Sequence, residues 1–134
     1  MIRAVLDTNV YISSLFWRGA PYLIVQEGLR GFFMMLTSEA ILEEVEHTLQ
    51  RKFQFPLEDT RTFIEIIALN AHIIEPNFRV SIVIADPTDN KIVECAIAGQ
   101  ADFIISGDKH ILTLKKYKGI EMLSPASFLD ILKS

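Results

Sequence analysis

Residues Met1 to Val10 read MIRAVLDTNV. The run Ile2 to Leu6 is mostly apolar and too short for a stable helix, which fits a strand buried on both faces. It stops on Asp7, and Thr8 and Asn9 follow as small polar residues of the kind that cap helices and hold turns. If this strand is central and parallel, Asp7 stands at its carboxyl end, where open α/β sheets collect their ligands. Two roles are open to Asp7: a cap on the next helix, or a carboxylate facing a ligand.

Outward from that start, short apolar runs alternate with helical periodicities. Val10 to Trp17 reads as a short helix, and Ala20-Pro21 opens a second that Gly31 ends. Phe32 to Leu36 is a strand. Thr37 or Ser38 caps a third helix running to about Arg51, its apolar stripe being Ile41, Leu42, Val45 and Leu49. Pro56 to Asn70 makes a fourth helix and His72 to Glu75 a short strand. Val80 to Ala85 reads as extended and leads into Asp86, which caps a helix from Pro87 to about Gly99. Asp102 to Ser106 is a strand, Lys109 to Leu114 a short helix, Ile120 to Leu123 a strand, and Pro125 to Leu132 a last helix. The alternation predicts an α/β fold, a mainly parallel sheet of about five strands covered on both faces. No repeat or linker divides the chain, so residues 1–134 are expected to form one domain.

Half of the 134 residues are hydrophobic, enough for a real core, and no apolar run approaches the length of a membrane span. The start of the chain does not resemble a signal peptide. Cys95 is the single cysteine and excludes an internal disulfide. A reducing cytoplasm is therefore expected, and Cys95 is expected to pack in the core. Thirteen Lys and Arg against seventeen Asp and Glu give a formal charge of −4, which argues against binding to nucleic acid through a broad basic surface. An enzyme acting on nucleic acid through carboxylate-held cations is not excluded. His47, His72 and His110 lack zinc-site spacing.

Four acids remain. Asp7 and Asp108 each follow a strand, Asp108 after the Gly107 turn, although Asp108 also suits an N-cap. Asp89 falls on the buried stripe of its helix, with Ile92, Val93 and Ala96, at the electropositive end. Glu44 lies near the margin of the third helix's stripe, whereas Glu43 points nearly opposite it. In a parallel sheet these carboxylates share one edge and repel unless cations sit between them. All-oxygen coordination suits Mg²⁺ or Mn²⁺, and such a site serves attack of water on a phosphodiester.

The same residues carry a family resemblance. Leu6-Asp7-Thr8-Asn9-Val10, the helical Leu42-Glu43-Glu44-Val45, Asp86-Pro87-Thr88-Asp89, and Ala101-Asp102-Phe103-Ile104-Ile105-Ser106-Gly107-Asp108 resemble the successive motifs of the PIN-domain family, in order and over essentially the whole chain. The resemblance implies a three-layer α/β/α sandwich and a metal-dependent endoribonuclease acting on single-stranded RNA, frequently the VapC-like toxin of a toxin–antitoxin pair. It places the family's acids at Asp7, Glu44, Asp89 and Asp108, with Thr8, Asn9 and Ser106 in support. Ser106 stands where the family usually has Thr, which preserves the hydroxyl. Lys91, Lys109, Lys115 and Lys116 are candidates for the RNA backbone. The aromatics Phe16, Trp17, Tyr22, Phe32 and Phe33 are candidates for an antitoxin or homo-oligomer surface, with core packing as the other use.

Two rival readings differ in kind. An aspartyl-phosphate phosphatase would use Asp7 as nucleophile, but its usual second acid two residues on is replaced by Asn9. A binding module without turnover would keep the acidic crevice as a relic.

Overall fold

The computed structural model describes residues 1–77 and 89–134. Three consecutive residues of β1 (Arg3–Leu6), Ala4, Val5 and Leu6, are fully buried. Successive strand side chains point to opposite faces, so both faces of β1 are covered. The strand is central. It pairs in parallel with β2 (Met34–Thr37) on one side and with β4 (Phe103–Ile105) on the other. Beyond them lie β3 (His72–Ile73), parallel to β2, and β6 (Ile120–Leu123), parallel to β4. The order β3-β2-β1-β4-β6-β5 places a topological switch between β1 and β4.

Among the described residues the sheet has six strands, not the five expected. The addition is β5 (Lys116–Tyr117), antiparallel to β6. Lys118 and Gly119 between them both have positive φ, 51° and 84°, as a two-residue type I′ hairpin requires. A two-residue strand carries no periodicity from which it can be read. β3 is shorter than His72 to Glu75, because only Leu36 and Thr37 are there to pair with it. β2 starts at Met34 rather than Phe32. Gly31, at φ 82°, turns the chain out of the preceding helix, and Phe32 is used in that turn.

Helices fill the connections. α1 (Thr8–Phe16) begins two residues before the expected Val10, because Asp7 is extended (φ −65°, ψ 153°) and caps it. α2 (Ala20–Leu29) has Pro21 in its first turn, and Gly28 lets it approach β2: a Cβ there would lie 2.9 Å from Met35 Sδ. Ser38, not Thr37, caps α3 (Glu39–Phe53), accepting from Ile41 N–H. α4 (Leu57–Asn70) follows Pro56. Asp89 is the N-cap of α5 (Asn90–Ala98), which packs against β1, β2, β4 and α3. The extended segment expected at 80–85, and the cap and first helical residues expected at 86–88, lie outside the described residues. α6 (Lys109–Leu112) is one turn, shorter than Lys109 to Leu114, and α7 (Pro125–Lys133) ends the chain's description.

Cys95 is fully buried in the core, as expected. Desolvation, partly offset by a hydrogen bond with Ser38, pushes its thiol up to about 12, which removes nucleophilic character. The N-terminal aromatics divide. Phe33 is core, whereas Trp17 and Phe32 are more than 60% exposed (61% and 62%). Phe16 stacks on Phe53 at 4.8 Å between ring centres and meets Phe55 edge-on. Among the described residues no helix is long and apolar enough to cross a membrane.

Candidate active site

The switch point between β1 and β4 is where the candidate residues collect. Leu6 is paired with Ile105, and Asp7 N–H continues the ladder to Ile105 O at 2.9 Å. That bond sets Asp7 beside Ser106. Ser106 Oγ donates to Asp7 Oδ2 at 2.7 Å, while Thr8 N–H donates to Oδ1 at 2.7 Å. Asp7 is therefore both helix cap and buried edge carboxylate, with 3% of its surface exposed. The two roles first open to it are compatible, because each carboxylate oxygen has a second lone pair.

Ser106 works in both directions. Its oxygen also accepts the Asp108 N–H at 2.9 Å, so one fully buried hydroxyl ties the two strand-end acids together. Asp108 in turn accepts His110 N–H at Oδ1, 2.9 Å, as the cap of α6. From the other side of β1, Thr8 Oγ1 donates to Glu44 Oε1 at 2.5 Å, and Lys91 Nζ donates to Glu44 Oε2 at 2.9 Å. Glu43 is exposed, so the phase of α3 turns Glu44 and not its neighbour to this edge. Asp89 is 9% exposed and stands two residues before Lys91.

The electrostatics follow from this placement. Burial raises the Asp7 pKa above its ordinary 3.8; the bonds from Ser106 and Thr8 oppose this, and the negative charges of Glu44 and Asp108 add to it. Asp7 thus feels two further acids from two different elements. The acids do not form a finished cage: among the described residues, no three His, Cys, Asp or Glu side chains stand close enough to hold one ion. Glu44 is turned toward Lys91 and Asp108 toward its own helix. The donor chemistry nevertheless fits a hard divalent ion, which is commonly held by one or two carboxylates and completed by water and phosphate.

Not every expected residue joins the network. Asn9 is exposed and makes no side-chain hydrogen bond among the described residues, and Lys109 is likewise exposed and unpaired there. Lys91, expected on the RNA backbone, is instead bound to Glu44. Glu94 was missed by sequence reasoning. It is buried and lines, with Ser38, Glu39, Ile74, Asn77 and Lys91, a cleft of about 470 Å³ beside the acids. Its signal was present: it is the one acid in the otherwise apolar stretch Ile92 to Ala98.

A mostly parallel sheet with a buried aspartate at its switch point, flanked by further acids, defines an α/β protein with an acidic crevice at the carboxyl edge of its sheet. The comparisons specify which. A family model described as PIN domain matches residues 3–110. MJ1680 of Methanocaldococcus jannaschii is 32% identical over 119 residues, covering 85% of this chain and 76% of its own. The chain belongs to the PIN-domain family, whose members are generally nucleases that use divalent metal ions. Two solved structures share the fold. VapBC2 from Rickettsia felis, bound to a DNA fragment from its promoter, is 15% identical with a TM-score of 0.64, over 92% of this chain and 98% of that one. PAE2754 from Pyrobaculum aerophilum is 11% identical with a TM-score of 0.65, over 98% and 90%.

Proposed function

We propose that the chain is a Mg²⁺- or Mn²⁺-dependent endoribonuclease that hydrolyses phosphodiester bonds in single-stranded RNA, acting as one compact domain over residues 1–134. The observation that carries this reading is the hydrogen-bonded placement of three acids at the switch point: Ser106 bonds both Asp7 and Asp108, and Thr8 bonds both Asp7 and Glu44. Asp7, Asp108 and Asp89 are the residues that would hold the ion, with Glu44 completing the set. When bound, a hard divalent ion supplies Lewis acidity and charge neutralisation for attack of water on the phosphodiester. The protein's own part is positional. Ser106 and Thr8 fix the Asp7 carboxylate in one rotamer, and the surplus of acid over Lys91 keeps the edge attractive to cations. Thr8 and Ser106 support the acids, while exposed Asn9 and Lys109 are free to meet the RNA backbone.

Similarity to VapBC2 supports a further element of the same proposal: the chain is the toxin of a toxin–antitoxin pair, working in the cytoplasm as a homodimer or larger homo-oligomer with an antitoxin protein as partner. Co-purification from the native host checks that partner. An Asp7 nucleophile of the phosphatase kind is disfavoured by its 3% exposure and by hydrogen bonds to both of its oxygens.

The test is cleavage of single-stranded RNA in the presence of Mn²⁺ by wild type, Asp7→Asn and Asp108→Asn. Each substitution is expected to lower the rate more than about a hundredfold. Equal cleavage by all three would remove the proposed site.

A further inference from the structure

Two ion pairs exist among the described residues, and they differ in kind. Arg30–Glu27 lies along one helix at 4.0 Å, with the arginine side chain 68% exposed. Lys91–Glu44 joins α3 to the first turn of α5 at 2.9 Å, with the two side chains 24% and 30% exposed. The close, half-buried pair is thus the one inside the acid-rich edge. Among the described residues, its lysine is the cation bonded within the group of Asp7, Glu44 and Asp108.

An ammonium group holds Glu44 by one oxygen only, Oε2, while Oε1 is occupied by Thr8. Lysine is a compact, strongly hydrated charge on a flexible four-carbon stem, so it releases a carboxylate more readily than the bidentate guanidinium of arginine does. It also lines the open cleft next to Ser38 and Asn77, which gives the released side chain room to turn into. From this geometry we infer that Lys91 is a placeholder cation. It neutralises Glu44 in the metal-free chain and yields that carboxylate when a divalent ion enters. This rests on the proposed site, and it adds a competition between an internal cation and the cofactor.

The competition sets an order of Mn²⁺ affinities that calorimetry can read without any substrate. Lys91→Met is expected to bind Mn²⁺ about fivefold more tightly than wild type, and Lys91→Arg more weakly than wild type. In thermal melts Lys91→Met should lose stability without metal and gain more than wild type on adding Mn²⁺. In a Glu44→Gln background the Lys91→Met gain in affinity should vanish. A residue that merely packs would not produce that order. Equal Mn²⁺ affinity in wild type, Lys91→Met and Lys91→Arg, or weaker affinity in Lys91→Met, overturns the placeholder and leaves the site reading standing. Absence of Mn²⁺ binding in every variant, wild type included, overturns both. If Lys91→Met does not fold, Lys91→Gln removes the same charge and carries the same expectations.

Discussion

The two ends of β1 handle charge in opposite ways. At its entry, Arg3 is satisfied within the chain. Its Nε and Nη2 donate to Gly99 O at 2.9 and 2.7 Å, and its backbone N–H donates to Asp102 Oδ2 at 2.9 Å. The guanidinium pins the end of α5 to the sheet, and Asp102 pins the start of β4. At its exit, Asp7 meets the negative charges of Glu44 and Asp108, and Lys91 is bonded to only one of these acids. One short strand separates an end whose charged groups are hydrogen-bonded within the chain from an end where like charges face one another. Surplus like charge costs stability, and in the proposed function a divalent ion would offset that cost.

The sharpest way to break the contrast is to remove each end's charge in turn. Asp7→Asn should lower RNA cleavage more than about a hundredfold, whereas Arg3→Met should leave cleavage per folded molecule unchanged. Next in size is Ser106→Ala. It removes both the donor to Asp7 and the acceptor of Asp108 N–H, and steady-state cleavage should fall about ten- to a hundredfold, with Ser106→Thr restoring it. At the entry, Arg3→Met should lower the unfolding free energy by about 2 kcal/mol in urea titration, the worth of a charged hydrogen-bonding group lost from a half-buried site. If cleavage falls with Arg3→Met as far as with Ser106→Ala, the division between a structural and a chemical end is wrong.

The smallest effect concerns pH and has the opposite sign from most substitutions. Burial, with Glu44 and Asp108 adding to it against the Ser106 and Thr8 bonds, raises the Asp7 pKa above 3.8. The folded carboxyl keeps its proton to higher pH than the unfolded one. Its contribution to stability is therefore full below the unfolded value and is lost as pH rises through the folded value. Asp7→Asn cannot ionise. Without divalent ions its melting temperature at pH 7 should exceed that of wild type by about 3 °C, and the gap should close as pH falls toward the ordinary carboxylate range. A lower melting temperature for Asp7→Asn at pH 7 would mean that the cap and the Ser106 bond outweigh the repulsion.

Particular residues show how far the chain could be read in one dimension. The runs that became β1, β2, β4 and β6 were legible because buried parallel strands are short and apolar. Ser124-Pro125 and the apolar phase of α3 were legible because caps and helical stripes are local. β5 was not, since two residues in a hairpin have no pattern, and β2 was misplaced by two residues because Phe32 is apolar yet lies in the turn. In the candidate site, the phase of α3 distinguished Glu44 from Glu43, and the strand-then-acid order singled out Asp7 and Asp108. The reach of Lys91 to Glu44 had no local sign, whereas Glu94 stood out as the one acid in the apolar stretch Ile92 to Ala98.

Amino-acid order alone was enough for the αβ alternation, the covered central strand and the acids at strand ends, because each depends on neighbours within one turn or one strand. Which atoms those acids touch was decided by tertiary structure. Ser106 meets Asp7 across 99 residues of chain, and Lys91 meets Glu44 across 47. Contacts of that range exist only once the parallel register of β1 and β4 and the packing of α5 beside α3 bring them together, and no periodicity along the chain encodes a distance between two elements.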